Sequence, residues 1–293
     1  MSNAMNVGIY VNPTKKDAPS ALERITSALK SEGITYTLDI EAGEIAGEPG
    51  TDRFFENTDL VISLGGDGTM LECVHRMKGF LNVPIAGINI GTLGFLTTCT
   101  DEEFPTFAKH LANDELCDKY LHLLDVEMKE EGKGVQNFFA LNEVTLMRGD
   151  TGRMVTIEAK IDGNYLTHYG ADGLIVATPT GSTAYSLSAG GPIITPGSEV
   201  FIVNPICPHA LSNRALVIPN SSEIALDACG REPLLFTADG RDVLNLDTEY
   251  PVTIKLAEQG VTLLQLPNTT YYHKLRAKLG WTGGIKGSPD ACS

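Results

Sequence analysis

Apolar and polar positions along this chain change rhythm once. Val7 to Val11 is a short apolar run that ends at Asn12-Pro13, and Leu22, Ile25 and Leu29 then recur at helical spacing. Ile34 to Ile40 reads as a strand and Glu41 to Gly50 as a Gly/Glu-rich loop. Leu60 to Leu64 predicts another strand, followed by a glycine loop and a helix with Met70, Val74 and Met77 on one face. Val83 to Ile90 predicts a further strand. Thr100-Asp101-Glu102-Glu103 fits a capping box ahead of Phe104, Phe107 and Leu111. Strands alternating with helices predict a mostly parallel sheet with helices on its faces.

Near Tyr120 the period becomes two. Leu124, Val126 and Met128 alternate with charged residues, as do Val155, Ile157, Ala159 and Ile161 before a turn at Asp162-Gly163-Asn164. Leu174 to Ala177, Leu216 to Ile218, Ile224 to Asp227, Leu234 to Thr237, Val252 to Leu256 and Val261 to Leu266 continue the strand-like pattern. A spacing of roughly ten residues predicts an all-β, sandwich-like second part. Tyr271 to Leu279 predicts a last helix stopped by Gly280. The expected division is 5–120 for the α/β domain and 121–267 for the all-β domain, with 268–293 folding back on the first. Met1-Ser2-Asn3-Ala4 ahead of Met5 reads as a remnant added for expression.

The bulk numbers narrow the classes. The 293 residues fit roughly two domains. A net charge of −15 argues against nucleic acid or an anionic membrane as partner. No apolar run approaches the roughly 20 residues of a membrane helix, and no secretory leader is visible, so a soluble cytoplasmic protein is expected. The cysteines (Cys73, Cys99, Cys117, Cys207, Cys229, Cys292) form no C-x-x-C pair and no zinc-site spacing with histidine. Simple thiols in a reducing compartment are the expectation.

The candidate chemistry sits in two segments. Gly65-Gly66-Asp67-Gly68-Thr69 lies at a strand-to-helix turn, where glycines let backbone N–H groups approach phosphate and the helix start adds positive potential. A carboxylate there would repel phosphate, so Asp67 suits holding a metal or accepting a proton from an attacking hydroxyl. That combination points to phosphoryl transfer. In isolation the motif equally fits a tight turn whose aspartate caps the next helix. Further on, Asp172-Gly173-Leu174-Ile175-Val176 leads into Thr178-Pro179-Thr180-Gly181-Ser182-Thr183-Ala184-Tyr185-Ser186, a hydroxyl-rich loop opening a short helix that stops at Gly190-Gly191-Pro192. Its hydroxyls and amides suit sugar, amide or phosphate groups.

Together these segments resemble the ATP- or polyphosphate-dependent NAD kinase family. Gly91-Thr92-Leu93-Gly94-Phe95-Leu96, Asn142-Glu143, Asn204-Pro205-Ile206-Cys207-Pro208-His209-Ala210-Leu211 and Asp239-Gly240 resemble further family segments, in family order over nearly the whole chain. The glycine loop is shared with lipid kinases and phosphofructokinases; the threonine-rich segment is far more specific. The resemblance implies an α/β N-terminal domain of Rossmann-like or phosphofructokinase-like type and an all-β C-terminal domain. It implies a homodimer or homotetramer in which NAD is also contacted from a neighbouring subunit.

The implied reaction moves the terminal phosphoryl group of ATP or polyphosphate to the adenosine-ribose 2′-hydroxyl of NAD, with a divalent ion, Mg²⁺, on the donor phosphates. No residue is firmly assigned to the metal. Asp67 is the implied general base or hydroxyl-orienting group. Gly65, Gly66, Gly68 and Thr69 are the implied phosphate contacts. NAD contacts are implied for Asp67, Gly68, Phe95, Asn142, Glu143, Asp172, Ser182, Thr183, Ala184, Tyr185 and Ser188. Tyr185 equally suits a core aromatic, and Phe95 suits packing more than chemistry. His209 suits a hydrogen-bonded structural role as well as a ligand contact, and Asp239 a hairpin turn as well as closure of the site.

Two positions depart from the pattern. Ala171 stands where the family usually has glycine, and His168-Tyr169 where an arginine is common, leaving Arg148 or Arg153 as possible phosphate contacts. A diacylglycerol-type lipid kinase shares only the glycine loop, and the charge and lack of a basic amphipathic helix oppose it. A non-catalytic NAD(P)-sensing module is opposed by the retention of both Asp67 and the hydroxyl-rich loop.

Overall fold

The computed structural model describes residues 5–130, 134–149, 152–230, 234–246, 251–267 and 269–281. Cys292, Met1 to Ala4, and residues 268 and 282–293 of the expected returning segment lie outside them. The chain divides into two compact units. One comprises the chain up to Asp118 together with the part from Leu263 onward, and the other spans Lys119–Thr262.

The first unit is built on β1 (Asn6–Val11), β2 (Thr35–Leu38), β3 (Leu60–Gly65), β4 (Ile85–Asn89), β5 (Cys99–Thr100) and β6 (Cys117–Leu121), with helices α1 (Ala18–Ser31), α2 (Ile40–Ala46), α3 (Asp67–Arg76) and α4 (Phe104–Ala112). β1 pairs in parallel with β2 and β3, and β4 in parallel with β3 and β5. Every residue of β3 and β4 is buried, as strands covered on both faces must be. α1 buries Leu22, Ile25 and Leu29 together with Ala18, Ala21 and Ala28, which is the face its spacing predicts.

Three local features differ from the sequence reading. Glu41 to Gly50 is not all loop: Asp39 caps α2 by accepting the Ala42 N–H at 2.8 Å, and Gly47 closes it in the left-handed region. The Thr100–Glu103 bonds of the capping box form, but they shape a turn, and α4 starts only at Phe104. Val261 to Leu266 had the pattern of another strand of the all-β part. Its strand instead joins the α/β sheet, in parallel with β4 at Leu263–Ile85.

The second unit contains β7 (Leu124–Glu130), β8 (Gly134–Ala140), β9 (Glu143–Arg148), β10 (Val155–Ile161), β11 (Asn164–Ala171), β12 (Gly173–Ala177), the four-residue helix α5 (Tyr185–Ser188), β13 (Val200–Ile206), β14 (Leu216–Pro219), β15 (Ile224–Cys229), β16 (Leu234–Ala238), β17 (Arg241–Leu246) and β18 (Val252–Leu256). They form two six-stranded sheets, ordered β11-β10-β15-β18-β7-β8 and β14-β13-β12-β9-β16-β17. Val126, Ile157 and Ile254 from one sheet share a core with Leu146, Val176, Phe201 and Phe236 from the other. This is the sandwich that the two-residue period implies. The chain then returns through β19 (Val261–Gln265), which completes the order β2-β1-β3-β4-β19-β6, to helix α6 (Tyr271–Leu279), capped by left-handed Gly280. Among the described residues no helix is long and apolar enough to cross a membrane.

Candidate functional site

In the α/β unit, β3 ends at Gly65 and α3 begins at Asp67. Thr69 folds back over the turn, so a Cβ at Gly65 would lie 2.2 Å from its hydroxyl oxygen; only glycine fits. The Thr69 hydroxyl accepts from the Gly66 N–H at 3.3 Å and from Asn12 Nδ2 at 3.2 Å. Thr69 is therefore buried and staples the loop, while Gly68 is exposed and Gly66 and Asp67 are half-buried. The first N–H groups of α3 have no acceptor within the helix, which is what an anion needs.

Asp67 is fixed from the opposite side. Its Oδ2 accepts the Phe95 N–H and its Oδ1 the Leu96 N–H, each at 2.9 Å. Gly94 lies so close that a Cβ there would sit 2.1 Å from Asp67 Oδ1. The 94–98 segment is itself tied down. Gly94 N–H bonds Thr97 Oγ1 at 2.7 Å, Thr98 Oγ1 donates to Leu264 O at 2.6 Å, and the buried Lys274 ammonium donates to Phe95 O at 3.3 Å and Thr97 O at 2.6 Å. Phe95 is half-buried, with its ring 6.4 Å from that of Tyr271.

In the all-β unit a second knot forms around Asp239. Asp239 and Gly240 both have positive φ, at 50° and 70°, and make the two-residue turn between β16 and β17. The Asp239 carboxylate accepts three backbone N–H groups: Leu141 at 2.8 Å, Asn142 at 2.7 Å and Glu143 at 3.1 Å. Thr178 laces the hydroxyl-rich loop to the same segment, donating its hydroxyl to Leu141 O at 2.6 Å and its N–H to Asn142 O at 2.9 Å. Gly181 passes so near that a Cβ would lie 2.0 Å from Asn142 O.

Within this knot Glu143 is buried. Burial, reinforced by the Asp239 charge and partly offset by the Tyr185 N–H, pushes its carboxyl up to about 8. Its Oε2 has no hydrogen-bond partner. At neutral pH the group is mostly a neutral acid with an unmet oxygen, able to donate as well as accept.

The loop divides the candidate residues by role. Ser182 is buried, and its hydroxyl is consumed by Pro179 O at 2.6 Å and the Ile194 N–H at 3.0 Å. Thr183 Oγ1 donates to Thr180 O at 3.2 Å. Tyr185 and Ser188 are exposed, and Ala184 is half-exposed, so Tyr185 is not a core aromatic.

Asp172 and Arg148 do not join this knot. They pair with each other, Arg148 Nε to Asp172 Oδ1 at 3.1 Å, at the far end of the β9–β12 pair. From Glu143 to Arg148 is five residue steps, roughly 16 Å along the strand. His209 lies at that end too; its N–H donates to Gly170 O at 2.9 Å and the residue is exposed rather than packed away. Sequence reasoning did not single out Asn12, Thr178, Gly181 or Lys274. Asn12-Pro13 did mark a strand end, but nothing in Tyr-Tyr-His-Lys signals a lysine reaching the 95–97 carbonyls.

A parallel α/β unit with a glycine-aspartate turn at a helix start, joined to an all-β sandwich, defines a two-part class of proteins. Comparison with known proteins specifies which. Residues 7–116 match the family model described as ATP-NAD kinase N-terminal domain, and residues 141–266 match ATP-NAD kinase C-terminal domain. An NAD kinase of Syntrophotalea carbinolica is 36% identical over 280 residues, 94% of this chain and 98% of the relative. Yeast NADH kinase complexed with NADH superposes with a TM-score of 0.87 at 26% identity, covering 98% of this chain and 91% of that one. An NAD kinase from Archaeoglobus fulgidus in complex with ATP gives 0.76 at 26% identity, covering 95% of this chain and all of that one. The chain belongs to the NAD kinase family.

Proposed function

We propose that the protein transfers the terminal phosphoryl group of ATP, or of polyphosphate, to the adenosine-ribose 2′-hydroxyl of NAD to give NADP, with Asp67 as the group that addresses that hydroxyl. One observation carries this reading: a carboxylate pinned by two backbone amides in the first turn of a glycine-started helix. Each Asp67 oxygen spends one acceptor site on an amide and keeps another, so the group can take or orient a hydroxyl proton without losing its position. The neighbouring amide of exposed Gly68 suits the donor phosphates, while the Gly66 amide is held by Thr69.

On the all-β unit, Asn142 and Glu143, with exposed Tyr185 and Ser188 and the backbone at Thr183-Ala184, suit a polar ligand such as the adenosine part of NAD. The Asp172–Arg148 pair is too far along the strand to serve the same small group. A second subunit of a homodimer or homotetramer, carrying its own Asp172 to the dinucleotide, would answer that separation.

A divalent ion would neutralise the donor phosphates when bound. Among the described residues of the α/β unit no group of three His, Cys, Asp or Glu donors converges. An Mg²⁺ ion needs few protein ligands there, because donor phosphates and water supply most of its octahedral shell.

The test is a coupled assay of NADP formation, run with ATP and then with polyphosphate, and with NADH as alternative acceptor. Asp67→Asn should cut turnover by roughly 10²–10⁴-fold while calorimetric NAD binding is largely kept. Wild-type protein that forms no NADP(H) with either donor would sink the reading.

A further inference from the structure

On the outer face of the first sheet of the sandwich, three adjacent strands bring three different metal-seeking side chains together. β11 offers His168, β10 offers Glu158 opposite it, and β15 offers Cys229. One ligand atom of each lies within 4.8 Å of the other two. We propose that Glu158, His168 and Cys229 form a surface site for a thiolate-seeking divalent transition ion of the Zn²⁺ type, separate from the phosphoryl-transfer residues.

The donor set selects the ion. Imidazole, thiolate and a single carboxylate suit Zn²⁺ and its neighbours, whereas Mg²⁺ prefers oxygen donors alone. Bonds of about 2.0–2.3 Å to a tetrahedral centre ask for donors roughly 3.3–3.8 Å apart. Side-chain rotation closes that difference readily where His168 and Cys229 are exposed. A water would complete the fourth position.

The surroundings orient the ligands. Tyr165 Oη lies 2.7 Å from His168 Nδ1, which leaves Nε2 turned toward Glu158 Oε2 at 3.0 Å. A tautomer with the proton on Nδ1, donated to Tyr165, frees the Nε2 lone pair for a metal. Lys160 holds Glu158 Oε1 at 2.7 Å and reaches Asp227 Oδ2 at 3.5 Å. It fixes the carboxylate with Oε2 facing the histidine, and it can move fully onto Asp227 when a cation arrives. Binding expels the Cys229 thiol proton and any proton on His168 Nε2, so affinity should rise with pH.

Chelator-stripped full-length protein titrated with Co²⁺ tests the site. A near-ultraviolet thiolate-to-cobalt absorption should saturate at one ion per chain, bleach on addition of Zn²⁺ and persist in a hundredfold excess of Mg²⁺. Cys229→Ser should abolish it and His168→Ala should weaken Co²⁺ binding at least tenfold, with unchanged circular dichroism. Cys117→Ser and Cys207→Ser, which alter the other exposed thiols among the described residues, and Cys292→Ser should leave it intact. Absorption that survives in Cys229→Ser, cobalt binding without a thiolate band, or no saturation at one equivalent would each overturn the proposal.

Discussion

At Glu143 the protein keeps a carboxyl group where solvent hardly reaches, beside the charge of Asp239. Because folding raises its ionisation from the ordinary 4.5 to about 8, the folded state holds the proton more tightly than the unfolded chain does. The associated stability is fully present below about pH 4.5 and is lost as pH rises through about 8. Asp39, buried as the cap of α2 with Glu41 beside it, is raised to about 7 and acts in the same direction. Glu143→Gln removes the first contribution and leaves the second. Denaturant unfolding from pH 5 to 9 should therefore show a steep loss in the wild type and a shallower one in the variant, differing by on the order of a few kcal/mol. Superimposable pH slopes would mean that Glu143 is solvated or ionised in the folded protein. The same neutral acid explains how an acidic pair can stand in one knot without mutual repulsion.

Among the elements, α6 does most at a distance. Its Lys274 is 2% exposed and gives its ammonium to the carbonyls of Phe95 and Thr97, in the same segment as the Phe95 and Leu96 amides that hold Asp67. With Asp67 in its proposed role, Lys274 is expected to act as a positioning residue. Lys274→Met should lower kcat at least tenfold with a smaller change in KM for ATP, and Lys274→Arg should restore part of kcat. Loss of thermal stability with kcat intact would show that the lysine merely fastens the helix. Elements of this kind also mark what sequence can and cannot tell. β3, the glycine turn and α3 are legible because buried parallel strands read as unbroken apolar runs, and turns need glycine. The two-residue period of β7 and β10 likewise announces a sandwich. α2 is hidden because Gly43 and two glutamates dilute its pattern, and only the Asp39 cap reveals it. The Val261 strand is legible as a strand, but its pairing partner, β4, is a choice made by the tertiary fold. Asp239 and Leu141 meet across 98 residues of chain, and no local pattern encodes that contact. For the same reason Ser182, one of several hydroxyls in the loop, could not be told apart from its exposed neighbours.

For the whole molecule, charge and chain path matter most. A net charge of −15 opposes the approach of ATP and polyphosphate. Raising monovalent salt from about 10 to 150 mM shortens the screening length from roughly 30 to 8 Å. At fixed free Mg²⁺, kcat/KM for the donor should then rise severalfold. A steady fall instead would show that local basic groups, not the net charge, govern capture. The chain path sets a different constraint. β1 to β6 are made first, the sandwich interrupts, and β19 with α6 follows to complete the sheet. During synthesis, the early strands and the loop around Asp67 must wait for β19 and α6, which follow the sandwich along the chain. Until α6 has been made, the Phe95 and Thr97 carbonyls lack the Lys274 ammonium, so the segment whose amides hold Asp67 is fastened only after the whole sandwich has been synthesised.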